Sequence, residues 1–120
     1  MSEIKSYRDL KIWQKGMALA KQAYIVSSKF PVDEKFGLTS QIRRASVSVP
    51  SNIAKGHGRG STGDYVRFLL IARGSLYEIE TQIMLADDLS FVDKSAVQTI
   101  LEASAEIGRM MNSLIQKLRP

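Results

Sequence analysis

Residues 41–60 read Q-I-R-R-A-S-V-S-V-P-S-N-I-A-K-G-H-G-R-G, and this stretch predicts a helix with one apolar face. At 100° per residue, the apolar and small side chains in this segment and just before it fall on one narrow stripe. The stripe consists of Leu38, Ile42, Ala45, Val49, Ile53 and Gly56. We therefore expect this helix to pack its stripe into the core of a helical domain.

The opposite side of the same helix is basic and rich in hydroxyl groups. Four residues, spaced by four, three and four positions, align along one outward edge: Arg44, Ser48, Ser51 and Lys55. Arg43 lies just round the helix from them, and residues 35–63 contain no Asp or Glu. Arg and Lys supply charge and Ser supplies neutral hydrogen bonds, so this edge suits phosphate. The alternative is a helix face that is simply solvated.

Pro50 lies inside the predicted helix. It removes a backbone donor and disfavours the helical conformation at Val49, so we expect a kink, or a short break and restart, at that point. Ser48, Ser51 and Asn52 are suited to satisfy the backbone groups that the proline frees. This capping role is an alternative to any role of these side chains in ligand binding.

Composition restricts the class of protein. The chain has 120 residues and no Cys, so we expect one domain without disulfides. No apolar run approaches the length that spans a membrane, and the first ten residues lack a secretory signal, so a cytoplasmic location is expected.

The formal net charge of the chain is +5. Residues 1–73 carry 13 Lys/Arg and 5 Asp/Glu, a net charge of +8, whereas residues 74–120 carry 4 and 7, a net charge of −3. This asymmetry favours a polyanionic partner or an acidic protein surface.

Apolar periodicity predicts four amphipathic helices and no strand. Their approximate ranges are 7–29, 34–55, 61–87 and 93–118, with Asp33, Ser61 and Asp93 as expected caps. Short loops between amphipathic helices favour an all-α, up-down-up-down antiparallel four-helix bundle that forms a single domain over residues 1–120. On the first helix, the predicted core stripe is Leu10, Trp13, Met17, Ala20, Tyr24 and Ser27.

The first and third helices carry apolar residues outside their predicted core stripes. Those singled out as a candidate oligomer interface are Val66, Leu70, Tyr77, Met84, Ile12 and Leu19. A helix that is apolar nearly all round is normally buried all round, which four helices alone do not achieve at the perimeter. Self-association is therefore expected, and the alternative is that wide stripes pack against two neighbouring helices.

Catalysis finds little support in the sequence. His57, the only histidine, lies in G-H-G-R-G with no acidic residue within six positions. No metal-ligand pattern and no base-orienter pair is present, so a loop histidine without catalytic function is expected and neither a metal nor a cofactor is predicted. The glycines do not form a P-loop, because G-x-x-x-x-G-K-[S/T] never occurs and they follow a helix rather than a strand.

Three segments carry a resemblance to a known family. They read Y-R-D-L-K-I-W-Q from residue 7, K-F-P followed by E-K-F-G-L-T-S-Q-I-R-R-A-S-V-S-V-P-S-N-I-A-K-G-H-G-R from residue 29, and A-R-G-S-L-Y-E-I-E-T-Q from residue 72. Over residues 7–91 the chain resembles the four-helix bundle proteins encoded in intervening sequences of bacterial large-subunit ribosomal RNA genes. That family is related to the accessory variability protein of diversity-generating retroelements, a five-fold barrel that binds nucleic acid and a reverse transcriptase.

The resemblance implies a cyclic homopentamer with a basic surface and no catalysis of its own. This chain has Lys55 where the family usually has glutamate in the motif N-I-A-E-G, which adds a positive charge to the edge. The prediction is a non-enzymatic nucleic-acid-binding bundle. The residues expected to bind nucleic acid are Arg43, Arg44, Lys55 and Arg59, supported by Lys11 and Lys15. The alternatives are an oligomeric scaffold that docks an acidic protein, such as a reverse transcriptase or polymerase subunit, and, third, an all-α enzyme.

Overall fold

Four α-helices make up most of residues 3–119, the part of the chain that the computed structural model describes. They are α1 (Lys11–Ser27), α2 (Leu38–Gly58), α3 (Thr62–Asp88) and α4 (Lys94–Leu118), and this part of the chain contains no strand. Short 3-10 helices at Tyr7–Asp9 and Val32–Glu34 precede α1 and α2. The predicted number and order of helices are confirmed.

The helices form a bundle in which each packs against two others. Contacts join α1 to α2, α2 to α3, α3 to α4 and α4 to α1, so α2 lies diagonally across from α4. The molecule measures 44 × 26 × 23 Å. The long dimension is close to that of a 27-residue helix at about 1.5 Å per residue, so the helices run along it and the short loops reverse their direction. The predicted all-α four-helix bundle is confirmed.

The core face of α2 is the one that its periodicity predicts. All six residues of its stripe are buried, and Ile42, Val49 and Ile53 are fully inaccessible to solvent. On α3 and α4 the apolar residues that recur at helical spacing are also largely buried, through Leu76, Ile79 and Ile83 on one helix and residues such as Ile107 on the other. The pattern is clearest on α2 and α4, because each of these two helices has one face that is distinctly more apolar than the other.

The core face predicted for α1 is wrong at Met17 and Tyr24, although Ala20 and Ser27 of the same stripe are buried. Met17 and Tyr24 are 47% and 44% exposed, whereas Ile12 and Leu19, assigned to the outside, are 5% and 1% exposed. The reason is the close packing of α1 on α2, since a Cβ at Gly16 would lie 3.4 Å from Cβ of Pro50. Small residues must therefore face α2, and the bulky Met17 and Tyr24 are left at the border of the interface.

The first helix is shorter than predicted, because the chain is extended at Leu10. The preceding 3-10 turn is closed by its own side chains. The amide of Arg8 donates to Oγ of Ser6 at 3.1 Å, and Oδ2 of Asp9 accepts the amides of Lys5 and Ser6 at 2.9 and 3.2 Å. This reciprocal capping favours a separate turn over continuation of α1.

The start of α2 depends on Glu34 rather than on Asp33, which was the predicted cap. Oε1 of Glu34 accepts the amide of Leu38 at 3.0 Å, so a carboxylate satisfies a free donor at the helix start. Gly37 leaves space for this contact, because a Cβ there would lie 2.8 Å from the same oxygen. The helix therefore begins four residues later than periodicity suggests.

α2 runs through Pro50 as one helix, so the predicted break and restart is absent. Asn52 lies one turn after Ser48, and its Nδ2 donates to O and Oγ of Ser48 at 2.8 and 2.9 Å. Oγ of Ser75 on α3 donates to Oγ of Ser48 at 2.8 Å. These polar contacts join the proline-containing turn to the neighbouring helix and offset the loss of a backbone hydrogen bond.

The connection from α2 to α3 is short and closely packed. A Cβ at Gly56 would lie 2.9 Å from Cβ of Phe68 and 3.2 Å from the carbonyl oxygen of Tyr65. Gly60 has a φ of +83°, the left-handed conformation that suits glycine, and the amide of Asp64 donates to Oγ of Ser61 at 3.2 Å. The turn thereby fixes how α3 returns along α2.

None of the helices described in residues 3–119 is both long and apolar enough to cross a membrane.

Candidate nucleic-acid interface

The outer edge of α2 presents two cations to solvent. Arg44 and Lys55 are exposed, and the side chain of neither forms a hydrogen bond or ion pair with another of residues 3–119. Ser48 and Ser51 lie between them and are half-buried. We call these four residues the basic edge. They border a shallow hollow of about 440 Å³, which is also lined by Tyr24, Arg43, Val47 and Asn52. None of the carboxylates in the described residues lines this hollow, so an anion placed there meets three cations and no negative side chain.

Arg43 lies beside the basic edge, but its guanidinium is already engaged by α1. Its Nε donates to Oγ of Ser27 at 2.9 Å, and its Nη2 donates to the carbonyl oxygen of Tyr24 at 3.4 Å. The guanidinium carbon lies 4.7 Å from the centre of the Tyr24 ring. Arg43 therefore joins α2 to the last turn of α1, and it adds charge to the hollow without being free to reorient.

The two serines of the basic edge differ in their surroundings. Oγ of Ser48 is held inside the polar contacts with Asn52 and Ser75 that cross from α2 to α3. Ser51 is at the surface next to Lys55 and lies on both the hollow and the neighbouring groove between α1 and α2. Ser51 is thus the hydroxyl of the edge that is best placed to meet a ligand.

The other cations predicted to take part are not all brought to this surface. Nε of Arg59 lies 3.7 Å from Oδ2 of Asp64, and its guanidinium carbon is 5.5 Å from the centre of the Phe68 ring. Nζ of Lys15 lies 3.1 Å from Oε1 of Glu106, at the boundary of α1 with α4. Lys11 is exposed at the first position of α1, one turn before Lys15. Of the six predicted cations, the hollow brings together Arg43, Arg44 and Lys55, because the partners of Arg59 and Lys15 lie on other helices.

A second hollow, of about 500 Å³, lies on the α3 side of the basic edge. Arg44 and Ser48 border it together with Phe36, Gln82 and Glu78. Glu78 brings a carboxylate to this side, although residues 35–63 themselves contain none. The carbonyl oxygen Oε1 of Gln82 is buried and has no hydrogen-bond partner within the described range. The potential of the basic edge is therefore more positive on the side that faces α1.

Lys21 is a cation of this surface that sequence analysis missed. It lines the groove between α1 and α2 together with Met17 and Tyr24. The signal was present in the spacing, because positions 17, 21 and 24 share one helical face. That face had been assigned to the core, which excluded a lysine from consideration.

His57 lies in the last turn of α2 rather than in a loop. Its ring contacts the Tyr65 ring edge-on, with 5.8 Å between centres. Nowhere in residues 3–119 do three or more metal-ligating side chains come together. The surroundings of His57 are thus those of a packed side chain at the α2–α3 junction.

Burial raises the pKa of Tyr65 above its usual value of 10.0. Because the unfolded chain ionises this phenol at a lower pH than the folded chain does, this tyrosine stabilises the fold fully below about pH 10 and progressively less above it. We expect Tyr65→Phe to reduce the loss of stability between about pH 9 and pH 11. Urea unfolding across that range measures the effect, and Tyr24→Phe, at an exposed site outside α3, is the matched control.

The residues predicted to form an oligomer interface divide into two groups. Ile12, Leu19 and Val66 are at most 9% exposed and belong to the core of the protomer, so their outward placement is wrong. Leu70 is half-buried, while Tyr77 and Met84 are 56% and 47% exposed. The outer face of α3 also carries two residues that sequence analysis left out of the candidate interface, Ile71 and Leu85, at 45% and 47% exposure. An exposed apolar row therefore remains on α3, whereas the α1 residues of the candidate interface are buried within the protomer.

Comparisons with known proteins agree with this architecture. A family model described as 23S rRNA-intervening sequence protein matches residues 8–113. The fold is similar to the crystal structure of a protein of unknown function from the S23 ribosomal protein family of Bacteroides thetaiotaomicron, with a TM-score of 0.79 and 25% identity over 87% of this chain and 97% of that one. No match is found among curated proteins. Since the family model spans nearly the whole bundle, the chain belongs to the 23S rRNA-intervening sequence protein family.

Proposed function

We propose that this protein is a non-enzymatic, nucleic-acid-binding bundle that contacts the phosphate backbone through the basic edge of α2. The observation that carries the proposal is the exposure of Arg44 and Lys55 on a hollow that none of the described carboxylates lines. Exposed cations with free donors are what phosphate oxygens require, and such contacts carry little sequence information. The family name refers to 23S rRNA, so RNA is the first polymer to test.

The distribution of charge supports a polyanionic ligand. The net charge of +8 on residues 1–73 is concentrated on the half of the chain that includes α1 and α2. α1 and α2 each carry three Lys or Arg and no Asp or Glu, so the surface where these two helices meet is positive. A long polyanion can therefore lie along the side of α2 that faces α1 without meeting one of the described carboxylates.

We further propose that the protein assembles into a cyclic homo-oligomer through α3. Five residues of its outer face alternate in steps of four and three: Leu70, Gly74, Tyr77, Thr81 and Met84. This spacing is that of a helix-packing seam. A Cβ at Gly74 would meet no atom of the other described helices within 4 Å, so a helix of another copy is able to approach closely there. In a ring, several copies of the basic edge act together and weak contacts add up.

A second candidate function is an oligomeric scaffold that docks an acidic protein, such as a reverse transcriptase or polymerase subunit. The observation that favours it is the exposure of Phe36, which is 89% accessible and borders the hollow of Arg44 and Glu78. Val32, four residues earlier, is 87% exposed. Exposed aromatic residues beside an arginine are typical of protein–protein interfaces, in which both residue types are enriched.

Titration of the protein with fluorescently labelled RNA and DNA, followed by anisotropy, tests the leading proposal. We expect binding with little sequence preference, and log K should fall linearly with log[salt] by about 0.7–0.9 for each phosphate neutralised. Replacing Arg44 and Lys55 together by Glu should weaken binding of every sequence at least about tenfold and make the salt dependence shallower.

The matched control reverses two cations on the far side of the bundle. Arg109 and Lys117 are exposed on α4, so Arg109→Glu with Lys117→Glu changes the net charge by the same amount. This control should bind nearly as well as the parent protein. Equal losses in both double variants would indicate attraction to net charge alone, and no affinity for either polymer at about 50 mM salt would refute the proposal.

A further inference from the structure

A groove between α1 and α2 lies directly beside the basic edge. It is lined mainly by Trp13, Met17 and Tyr24 from α1 and by Val47 and Pro50 from α2, and its volume is about 470 Å³. We call it the aromatic groove. Tyr24, Val47 and Ser51 line both this groove and the hollow of the basic edge, so the two form one continuous surface.

The groove is open because of the way in which α1 meets α2. Gly16 packs against Pro50, which brings the two helix backbones close and leaves no space for large side chains between them. Met17 and Tyr24 on one wall and Val47 on the other remain 43–47% exposed. Trp13 is half-buried, and its ring meets that of Tyr7 edge-on at 5.3 Å between centres.

The chemistry of the groove favours a flat, electron-rich group attached to an anion. Aromatic rings and a methionine supply its apolar surface, which suits stacking against a planar ring. Among residues 3–119, Lys21 is the one charged residue that lines it, so no described carboxylate faces the groove. A nucleobase carries a π-face of this kind, and base-aromatic stacking is tolerant of sequence.

The position of the groove matches the position of the cations. Because α1 and α2 are antiparallel and meet at Gly16 and Pro50, Tyr24 lies toward the Arg44 end and Trp13 toward the Lys55 end. Trp13 and Tyr24 are eleven residues apart, as are Arg44 and Lys55, and each pair therefore spans about 16 Å of helix. Stacking surface and phosphate donors thus run side by side over equal lengths.

We propose that the aromatic groove receives the bases of a single-stranded nucleic acid whose phosphates lie on the basic edge. This inference rests on the proposed function and specifies the form of the polymer. A duplex keeps its bases stacked inside, so it can use the basic edge but not the aromatic groove.

Trp13 provides the readout, because it is the only tryptophan of the chain. Tryptophan emission should be quenched by a single-stranded oligonucleotide, but not by an abasic strand with the same number of phosphates. The single strand should also bind at least about fivefold more tightly than the abasic strand. Tyr24→Leu should remove that preference, whereas Tyr24→Phe, which keeps the ring, should retain it.

The possible results separate this inference from the proposed function. Binding of single, abasic and duplex strands with equal affinity and unchanged Trp13 emission would overturn the groove assignment and leave the basic edge intact. Failure to bind any of the three would overturn both. A change of Trp13 emission with protein concentration alone, together with a lower mass for Tyr24→Leu, would show that a second copy of the chain fills the groove, and the inference would be wrong.

Discussion

Replacing Tyr77 by glutamate is expected to reduce the mass of the protein in solution to that of a single chain of 13.4 kDa. The parent protein is expected to have a multiple of this mass, and the family resemblance implies five copies. Tyr77 is 56% exposed in the protomer, so the substitution leaves the folded chain intact. In an assembly that packs α3 against another copy, the same position is buried, and an unpaired carboxylate there costs several kcal/mol. Sedimentation velocity at micromolar concentration measures the change.

Ser113→Glu on α4 is the matched control for this experiment, because it adds the same charge at an exposed helical position away from α3. It should leave the mass unchanged.

Gly74→Ala gives a second test at the seam. An exposed glycine in a helix is less stable than alanine by about 1 kcal/mol, so this variant should unfold at higher urea if α3 faces water. If α3 faces a close neighbour, Gly74→Ala should weaken the assembly. A parent protein that sediments as a stable monomer would disprove the proposed oligomer.

Replacing Gly56 by alanine is expected to destabilise the protein by about 2 kcal/mol. The added methyl group would lie 2.9 Å from Cβ of Phe68 and 3.2 Å from the carbonyl oxygen of Tyr65, and neither atom is at the end of a flexible side chain. Overpacking of this kind costs up to about 3 kcal/mol. The better helix propensity of alanine returns only about 1 kcal/mol of that cost.

Urea denaturation followed by circular dichroism measures the effect at Gly56. Gly58→Ala, two residues further along the same helix, is the control, since a Cβ at Gly58 would meet no atom of the described neighbours within 4 Å. That variant should be as stable as the parent protein or slightly more stable. Equal stabilities of the two variants would show that the α2–α3 packing relaxes freely around position 56.

The helices could be predicted because apolar residues recur at helical spacing in all of them, and because α2 and α4 have one face that is clearly more apolar than the rest. The stripe of α2 from Leu38 to Gly56 was identified in full, since the opposite face carries Arg44 and Lys55. On α1 both faces are apolar, and the choice between them depends on Gly16 meeting Pro50. That contact joins residues 34 positions apart, so no local period contains it.

The candidate site was predictable to the same extent. Arg44 and Lys55 are exposed on one edge because helical geometry alone relates them. The ion pair of Lys15 with Glu106 and the approach of Glu78 to Arg44 depend on which helices are neighbours. The continuity of the aromatic groove with the basic edge was missed for the same reason. Trp13 and Tyr24 had been placed in the core, so no aromatic surface was expected beside the cations.

The diagonal placement of α1 and α3 has an electrical consequence. α1 carries three lysines and no carboxylate, whereas α3 carries five carboxylates and two arginines, so the centres of positive and negative charge do not coincide. The protomer therefore has a dipole moment directed across the bundle. A polyanion approaching in dilute salt turns the molecule by torque before contact, which raises the association rate by bringing α1 and the neighbouring basic edge to face the ligand. Salt at physiological concentration screens this torque beyond about 8 Å.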